Sequence, residues 1–136
     1  MTSRRIAREC ALQSLYYADS LKSAQEDVLA DYTDTFKKEL GDVYDFCNDL
    51  VRGTQKHQSE IDKMVSSYAK NWTVSRMSAV DRSILRMATY EMVFSPERTP
   101  IPAVIDEAIE LAKKYSTENS SKFINGLLDQ LKKERK

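Results

Sequence analysis

The chain has 136 residues, of which 41% are hydrophobic and 31% are charged, and its formal net charge at pH 7 is zero. This length allows one domain with a substantial core, and the composition, with three glycines and three prolines, excludes collagen-like and low-complexity chains. Hydrophobic residues recur at helical spacing and no strand-like run lies between turn signals, so the sequence predicts an all-α fold.

Charge is unevenly distributed although the total is zero. Residues 21–62 hold ten acids and five bases, whereas residues 113–136 hold seven bases and three acids. A nucleic-acid partner would favour such basic ends, but solvated helix ends explain them equally well. The sequence shows no signal peptide and no transmembrane run, and Cys10 and Cys47 lie beside apolar residues at helical spacing. We therefore expect a cytoplasmic protein with two buried, reduced thiols.

The first helix is predicted over residues 3–19, and it has two contrasting faces. The face expected to be buried contains Ile6, Ala7, Cys10, Ala11, Ser14, Tyr17 and Ala18. The opposite arc contains Arg4, Arg5, Arg8, Leu12 and Tyr16. Outward guanidinium groups beside an exposed aromatic ring indicate a surface that binds phosphates and a partner.

An alternative interpretation of this arc stays open. Leu12 and Tyr16 could contact another helix of the same domain, with the arginines merely solvated. Internal salt links at all three arginines, or burial of the Tyr16 side by the same chain, would remove the support for a binding surface here.

Two more helices are predicted before residue 70. One spans about residues 22–40 and ends at Gly41. The next runs without a break over about residues 42–68, with its apolar residues at alternating steps of four and three along roughly 40 Å.

Polar residues on this long seam need partners in the core. We expect Thr54 and His57 to find them, and His57 is interpreted as a packing residue and not as a ligand or base. Residues 71–77 form a junction in which Trp72 is predicted to cover the core.

A central helix is predicted over residues 78–94, because apolar side chains cover more than half of its circumference. Ser78 and Asp81 have the spacing of a capping box, and Pro96 prevents the helix from continuing. Glu91 lies on the apolar surface, so we expect a cation or a helix N-terminus to hold it.

Two helices complete the chain. One is predicted over residues 103–115, with Pro102 in its first turn and Tyr115 facing inward. The last helix follows residues 116–119, and Gly126 within it is expected to permit a close helix crossing.

Three segments resemble the bacterial NusB family of transcription antitermination factors: RRIARECALQSLYYAD, NWTVSRMSAVDRSILRMATYEM and VIDEAIELAKKYSTENSSKFINGLLD. The resemblance implies about seven helices in two perpendicular three-helix bundles, with subdomains over about 1–70 and 71–136. It further implies a protein that is not an enzyme and has no cofactor or metal. Family members bind boxA RNA of ribosomal RNA leader transcripts together with NusE, a ribosomal small-subunit protein, within the antitermination complex on RNA polymerase. They occur as monomers or homodimers.

The resemblance also assigns site residues. Those expected to contact RNA are Arg4, Arg5, Arg8, Asn119 and Lys122. Those expected to contact NusE are Leu12, Tyr16, Asp81, Glu118 and Phe123. This chain departs from the family at Ile6, where many relatives have arginine, and at Asn119 and Ser121, where aspartate and histidine are frequent. We expect Ile6 to lie on the buried face, so that some charge is lost while the site is kept.

Two other functional classes were weighed. An enzyme is disfavoured because the sequence shows no nucleophile paired with a base, no glycine-rich phosphate loop and no metal-ligand spacing. A helical domain similar to NusB precedes some ribosomal RNA cytosine methyltransferases, but this chain ends where the catalytic domain would begin. The remaining alternative is a helical protein-interaction module without RNA binding of its own.

Overall fold

The computed structural model describes residues 3–21, 31–69, 77–97 and 99–134, and every regular element in these ranges is helical. A single 3₁₀ turn, Gly41–Val43, accompanies the α-helices. The α-helices are α1 (Arg4–Leu21), α2 (Lys37–Leu40), α3 (Tyr44–Lys56), α4 (Gln58–Tyr68), α5 (Ala79–Val93), α6 (Ile101–Tyr115) and α7 (Glu118–Glu134). The predicted all-α class is confirmed. Most of the predicted second helix lies outside the described residues, as does Trp72, which was predicted to cover the core.

Helix α5 is the centre of the fold, and it packs against α1, α3, α4, α6 and α7. Ser78 caps it, because its hydroxyl accepts the Asp81 backbone N–H at 3.1 Å. Ile84 and Leu85 are fully buried, and each such side chain contributes about 1.5–3 kcal/mol by leaving water. The sequence prediction of a helix surrounded by others is confirmed.

The thiols of Cys10 and Cys47 are buried and free. Burial raises the pKa of Cys10 to about 11 and that of Cys47 to about 12, since the thiolate would be poorly solvated. The expectation of buried, reduced cysteines is confirmed.

The predicted unbroken helix over residues 42–68 is wrong, because the chain bends at His57. This residue has φ −101° and ψ 11°, and it separates α3 from α4. Its ring stacks on Phe94 with centroids 4.1 Å apart, so its interpretation as a packing residue is confirmed. The hydroxyl of Thr54, by contrast, is buried without a hydrogen-bond partner, so the partner expected for it is not present.

The close helix crossing occurs at a different glycine from the one predicted. A Cβ atom at Gly126 would meet nothing within 4 Å, whereas one at Gly53 would overlap the Tyr90 ring. The Tyr90 hydroxyl donates to Asp49 Oδ1 at 2.8 Å. Because Gly53 has no side chain, α3 can approach α5 closely, and the Tyr90 ring of α5 lies against the backbone of α3 at Gly53.

The ends of α2 and α7 adjust two predicted boundaries. Residues 31–34 are helical and a turn separates them from α2, which ends as predicted at Gly41 with φ +56°. Helix α7 begins earlier than predicted, at Glu118. The Thr117 hydroxyl accepts the Ser120 backbone N–H at 2.9 Å, so Thr117 acts as its cap.

Candidate binding surface

Arg4 and Arg5 lie on the exposed side of α1, and each is paired with a carboxylate of the same chain. Nη2 of Arg4 lies 2.5 Å from Glu97 Oε1. Arg5, whose side chain is 61% exposed, donates from Nε and Nη2 to the two oxygens of Glu107 at 3.1 and 3.0 Å. The hydrogen bond to Glu107 raises the pKa of Arg5. Both arginines are therefore accessible, but neither is free in this structure.

Arg8 is buried, so the expectation that it faces outward is wrong. The residue is 6% exposed, and its Nε and Nη2 donate to Glu91 at 2.9 and 2.5 Å. The Phe46 ring lies over its guanidinium, 5.0 Å from the centroid. Arg8 is the cation predicted to hold Glu91, and it joins α1 to α5. All three arginines therefore form internal salt links, so the condition stated against the arginine arc is met and the arc by itself does not support a binding surface.

Two further expectations for α1, on Ile6 and Leu12, are also wrong, and both follow from the direction in which the helix packs. Ile6 is 39% exposed, whereas Leu12 is buried. Helix α1 packs against both α3 and α5, so its buried arc is turned toward Arg8 and Leu12 and away from Ile6. Tyr16, at 45% exposure, lies on the open side as predicted.

An apolar pocket of about 160 Å³ lies beside Tyr16, and it is lined by Leu12, Gln13, Tyr16, Val80 and Tyr115. Leu12 therefore contributes to this surface although most of its area is covered. Tyr115 was predicted to face inward, but it is 36% exposed, so this prediction is wrong. The pocket joins α1, α5 and α6, and a contiguous apolar surface of this kind fits a side chain from a partner.

The rim of this pocket is polar. Glu9 Oε1 accepts hydrogen bonds from Lys114 Nζ at 2.7 Å and from the Tyr115 hydroxyl at 2.5 Å. Partial burial opposes ionisation of Glu9, but these two donors prevail and lower its pKa. The carboxylate thus stays charged between the arginines and the apolar pocket.

A second cleft, of about 280 Å³, brings Asp81 of α5 together with Asn119 and Phe123 of α7. The Asp81 carboxylate accepts hydrogen bonds from the hydroxyls of Ser116 and Ser120, both at 2.7 Å. The Asp81 side chain therefore joins the start of α5 to the start of α7. Its backbone N–H separately donates to the Ser78 hydroxyl that caps α5. The exposed residues Glu118 and Lys122 lie on the same first turns of α7.

These features follow one another along the side of the molecule formed by α1 and α6. The Arg5–Glu107 pair comes first, the Glu9–Lys114 pair next and the apolar pocket after it. We call this the α1–α6 strip. The roles of Glu107 and Lys114 and the exposure of Tyr115 could not be predicted from the sequence. The hydrophobic spacing along α6 does not show that this helix lies beside α1.

The surroundings of the strip contain no recognisable metal centre. Within the described residues, no three His, Cys, Asp or Glu side chains are grouped so that they could hold a metal ion. The helices of the described ranges include none that is both long and apolar enough to cross a bilayer.

The fold defines a small all-α protein, with an apolar pocket between α1, α5 and α6. A family model described as the NusB family matches residues 5–133. The transcription antitermination protein NusB of Elusimicrobium minutum is 63% identical over 137 residues, covering 100% of this chain and 97% of that protein. NusB of Solibacter usitatus is 47% identical, covering 98% and 91%. The chain therefore belongs to the NusB family.

Solved structures show the same fold. A NusB structure from T. maritima has a TM-score of 0.84 and 38% identity, covering 98% of this chain and 94% of that one. The NusB chain from a complex of antitermination factors NusB and NusE with dsRNA has a TM-score of 0.82 and 26% identity, with 96% of each chain covered.

Proposed function

We propose that this chain is a transcription antitermination factor that binds boxA-type RNA together with NusE and helps to assemble the antitermination complex on RNA polymerase. The observation that carries the proposal is the 63% identity to a NusB over the whole chain, and the exposed apolar pocket beside Tyr16 offers a surface for the partner. A related NusB has been solved in complex with NusE and RNA, and this supports the assignment.

The RNA-binding part of the strip consists of Arg4, Arg5, Asn119 and Lys122. Arg8 is not included, because its guanidinium is buried against Glu91. The ion pairs of Arg4 and Arg5 do not exclude them, since exposed pairs contribute only about 0–1 kcal/mol. A phosphate of RNA can replace such a carboxylate, and phosphate contacts dominate affinity for nucleic acid.

The partner-binding part consists of the pocket and the cleft. Leu12 and Tyr16 contribute the apolar wall of the pocket, and partly exposed aromatic rings are common anchors of protein interfaces. Asp81 and Phe123 line the cleft, with Glu118 nearby on α7. We assign these five residues to NusE.

Catalysis forms no part of the proposal. His57, the histidine of this chain, is stacked on Phe94 and is therefore badly placed to act as a general base. Because transcripts are made in the bacterial cytoplasm, we place the protein there.

The competing function is a helical interaction module that does not bind RNA, and the internal pairing of Arg4 and Arg5 favours it. Salt dependence separates the two functions. Each phosphate contact with single-stranded RNA contributes about −0.7 to the slope of log affinity against log salt, so we expect a slope of roughly −2 to −4 with NusE present.

The decisive variant is Arg4→Glu with Arg5→Glu, measured by fluorescence anisotropy of a boxA RNA with NusE at saturation. Lys132→Glu with Lys133→Glu is the matched control, since it makes the same change in charge at the exposed far end of α7. We expect the arginine variant to lose at least tenfold in affinity and the control to lose much less. Equal losses would remove Arg4 and Arg5 from the RNA contact, and an affinity that neither salt nor the arginine variant changes would establish the interaction module instead.

A further inference from the structure

We propose that Glu107 competes with RNA phosphate for Arg5, so that this carboxylate sets how tightly the free protein binds RNA. The inference rests on the proposed function and assigns a new determinant of affinity to the same site. Arg5 presents its Nε and Nη2 to the two Glu107 oxygens. This edge of a guanidinium is the one that suits a bidentate phosphate, so phosphate and Glu107 require the same two donors.

The local charge balance makes the competition matter. Arg4, Arg5 and Lys114 pair with Glu97, Glu107 and Glu9 respectively, so these three pairs carry no net charge. Glu110 also acts on Arg5 from the same side. The basic end of α1 therefore offers an approaching transcript little net positive charge until a carboxylate is displaced or removed.

Exposure distinguishes this pair from the other bidentate pair of α1. The side chains of Arg5 and Glu107 are 61% and 21% exposed, whereas those of Arg8 and Glu91 are almost completely buried. Phosphate can reach Arg5 without opening the core, but it cannot reach Arg8. The competition therefore operates at the solvent-facing pair, where exchange of one anion for another costs little.

The test compares Glu107→Gln with Glu110→Gln. Both variants remove one negative charge from α6, but only the first replaces the carboxylate that accepts from Arg5, leaving one neutral amide acceptor in place of two charged oxygens. Affinity for a fluorescent boxA RNA is measured with NusE at saturation and at several salt concentrations. We expect Glu107→Gln to bind about two- to fivefold more tightly than the parent, from the strength of an exposed ion pair, and Glu110→Gln to show less than half of that change in log affinity.

A double-mutant cycle tests whether the effect of Glu107 on RNA affinity acts through Arg5. With Arg5→Gln in place, Glu107→Gln should have almost no effect on RNA affinity, because the donor that both anions share is gone. Unchanged affinity in Glu107→Gln would overturn the proposal, and weaker binding would show that Glu107 positions Arg5 for RNA. If the parent protein shows no salt-dependent RNA binding, the proposed function itself fails. Melting temperatures of all variants, expected to stay close to that of the parent, exclude unfolding as the cause.

Discussion

Removing one partner of the buried pair Arg8–Glu91 should destabilise the fold strongly, and this effect does not depend on RNA. Replacing Arg8 by Met leaves an ionised carboxylate in the core with no cation. Breaking a buried pair from one side costs about 3–5 kcal/mol, a large fraction of the roughly 5–15 kcal/mol that stabilises a typical domain. For a chain of this size the loss corresponds to roughly 10–20 °C in melting temperature.

Urea unfolding followed by far-UV circular dichroism measures this loss directly. Arg5→Met is the matched control, since it removes a bidentate but exposed pair from the same helix and should cost far less than Arg8→Met. The double variant Arg8→Met with Glu91→Met should recover most of the lost stability, because no charge then stays buried. If Arg8→Met costs no more than the control, the reasoning about this pair is refuted.

The same double variant tests whether Arg8 belongs to the RNA surface. If Arg8 acts only between α1 and α5, a variant that folds without the pair should bind boxA RNA within about twofold of the parent. A tenfold loss in this stable variant would return Arg8 to the RNA-binding residues.

Three other predictions follow from the packing. Gly53→Ala should cost about 1–3 kcal/mol, since the added Cβ overlaps a tyrosine ring, whereas Gly126→Ala on an open helix face should stabilise by about 0.5–1 kcal/mol; urea unfolding measures both. Tyr16→Ala should weaken NusE binding about tenfold or more in calorimetry without lowering the melting temperature appreciably, and an unchanged affinity would remove the pocket from the interface. Because burial raises the pKa values of Cys10 and Cys47 to about 11 and about 12, the unfolded chain loses these protons first as pH rises. The free energy of unfolding should therefore fall above about pH 9, and Cys47→Ala should make that fall shallower.

Periodicity and capping predicted the central helix well, because both are local properties. Ser78 supplies the cap, and the apolar surface of α5 requires neighbours on several sides. The all-α class follows from the same kind of pattern. These predictions needed no knowledge of which helix meets which.

The errors on α1 and α3 arose where the outcome depends on neighbours. A helical projection gives the angle between Ile6 and Arg8, but not the direction from which α3 and α5 approach. The predicted buried face is confirmed at Ala7, Cys10, Ala11, Ser14 and Ala18, but burial extends to Arg8 and Leu12 and leaves Ile6 exposed. Gly53 and Gly126 look alike in sequence, and only the position of the Tyr90 ring distinguishes them. The break at His57 interrupts the hydrogen-bond ladder between α3 and α4, although the His57 N–H still donates to the Gly53 carbonyl at 3.0 Å. The apolar residues keep their steps of three and four across it, so the hydrophobic spacing does not reveal the break.

The two serine hydroxyls on Asp81 have a consequence for how the partners influence each other. One carboxylate holds the start of α5, which borders the surface assigned to NusE, and the start of α7, which carries Asn119 and Lys122. A ligand that shifts this joint alters both surfaces together. By thermodynamic reciprocity, if NusE changes the affinity for RNA by some factor, RNA changes the affinity for NusE by the same factor. Replacing Ser116, which holds Asp81 but does not line the cleft, should therefore change both factors equally.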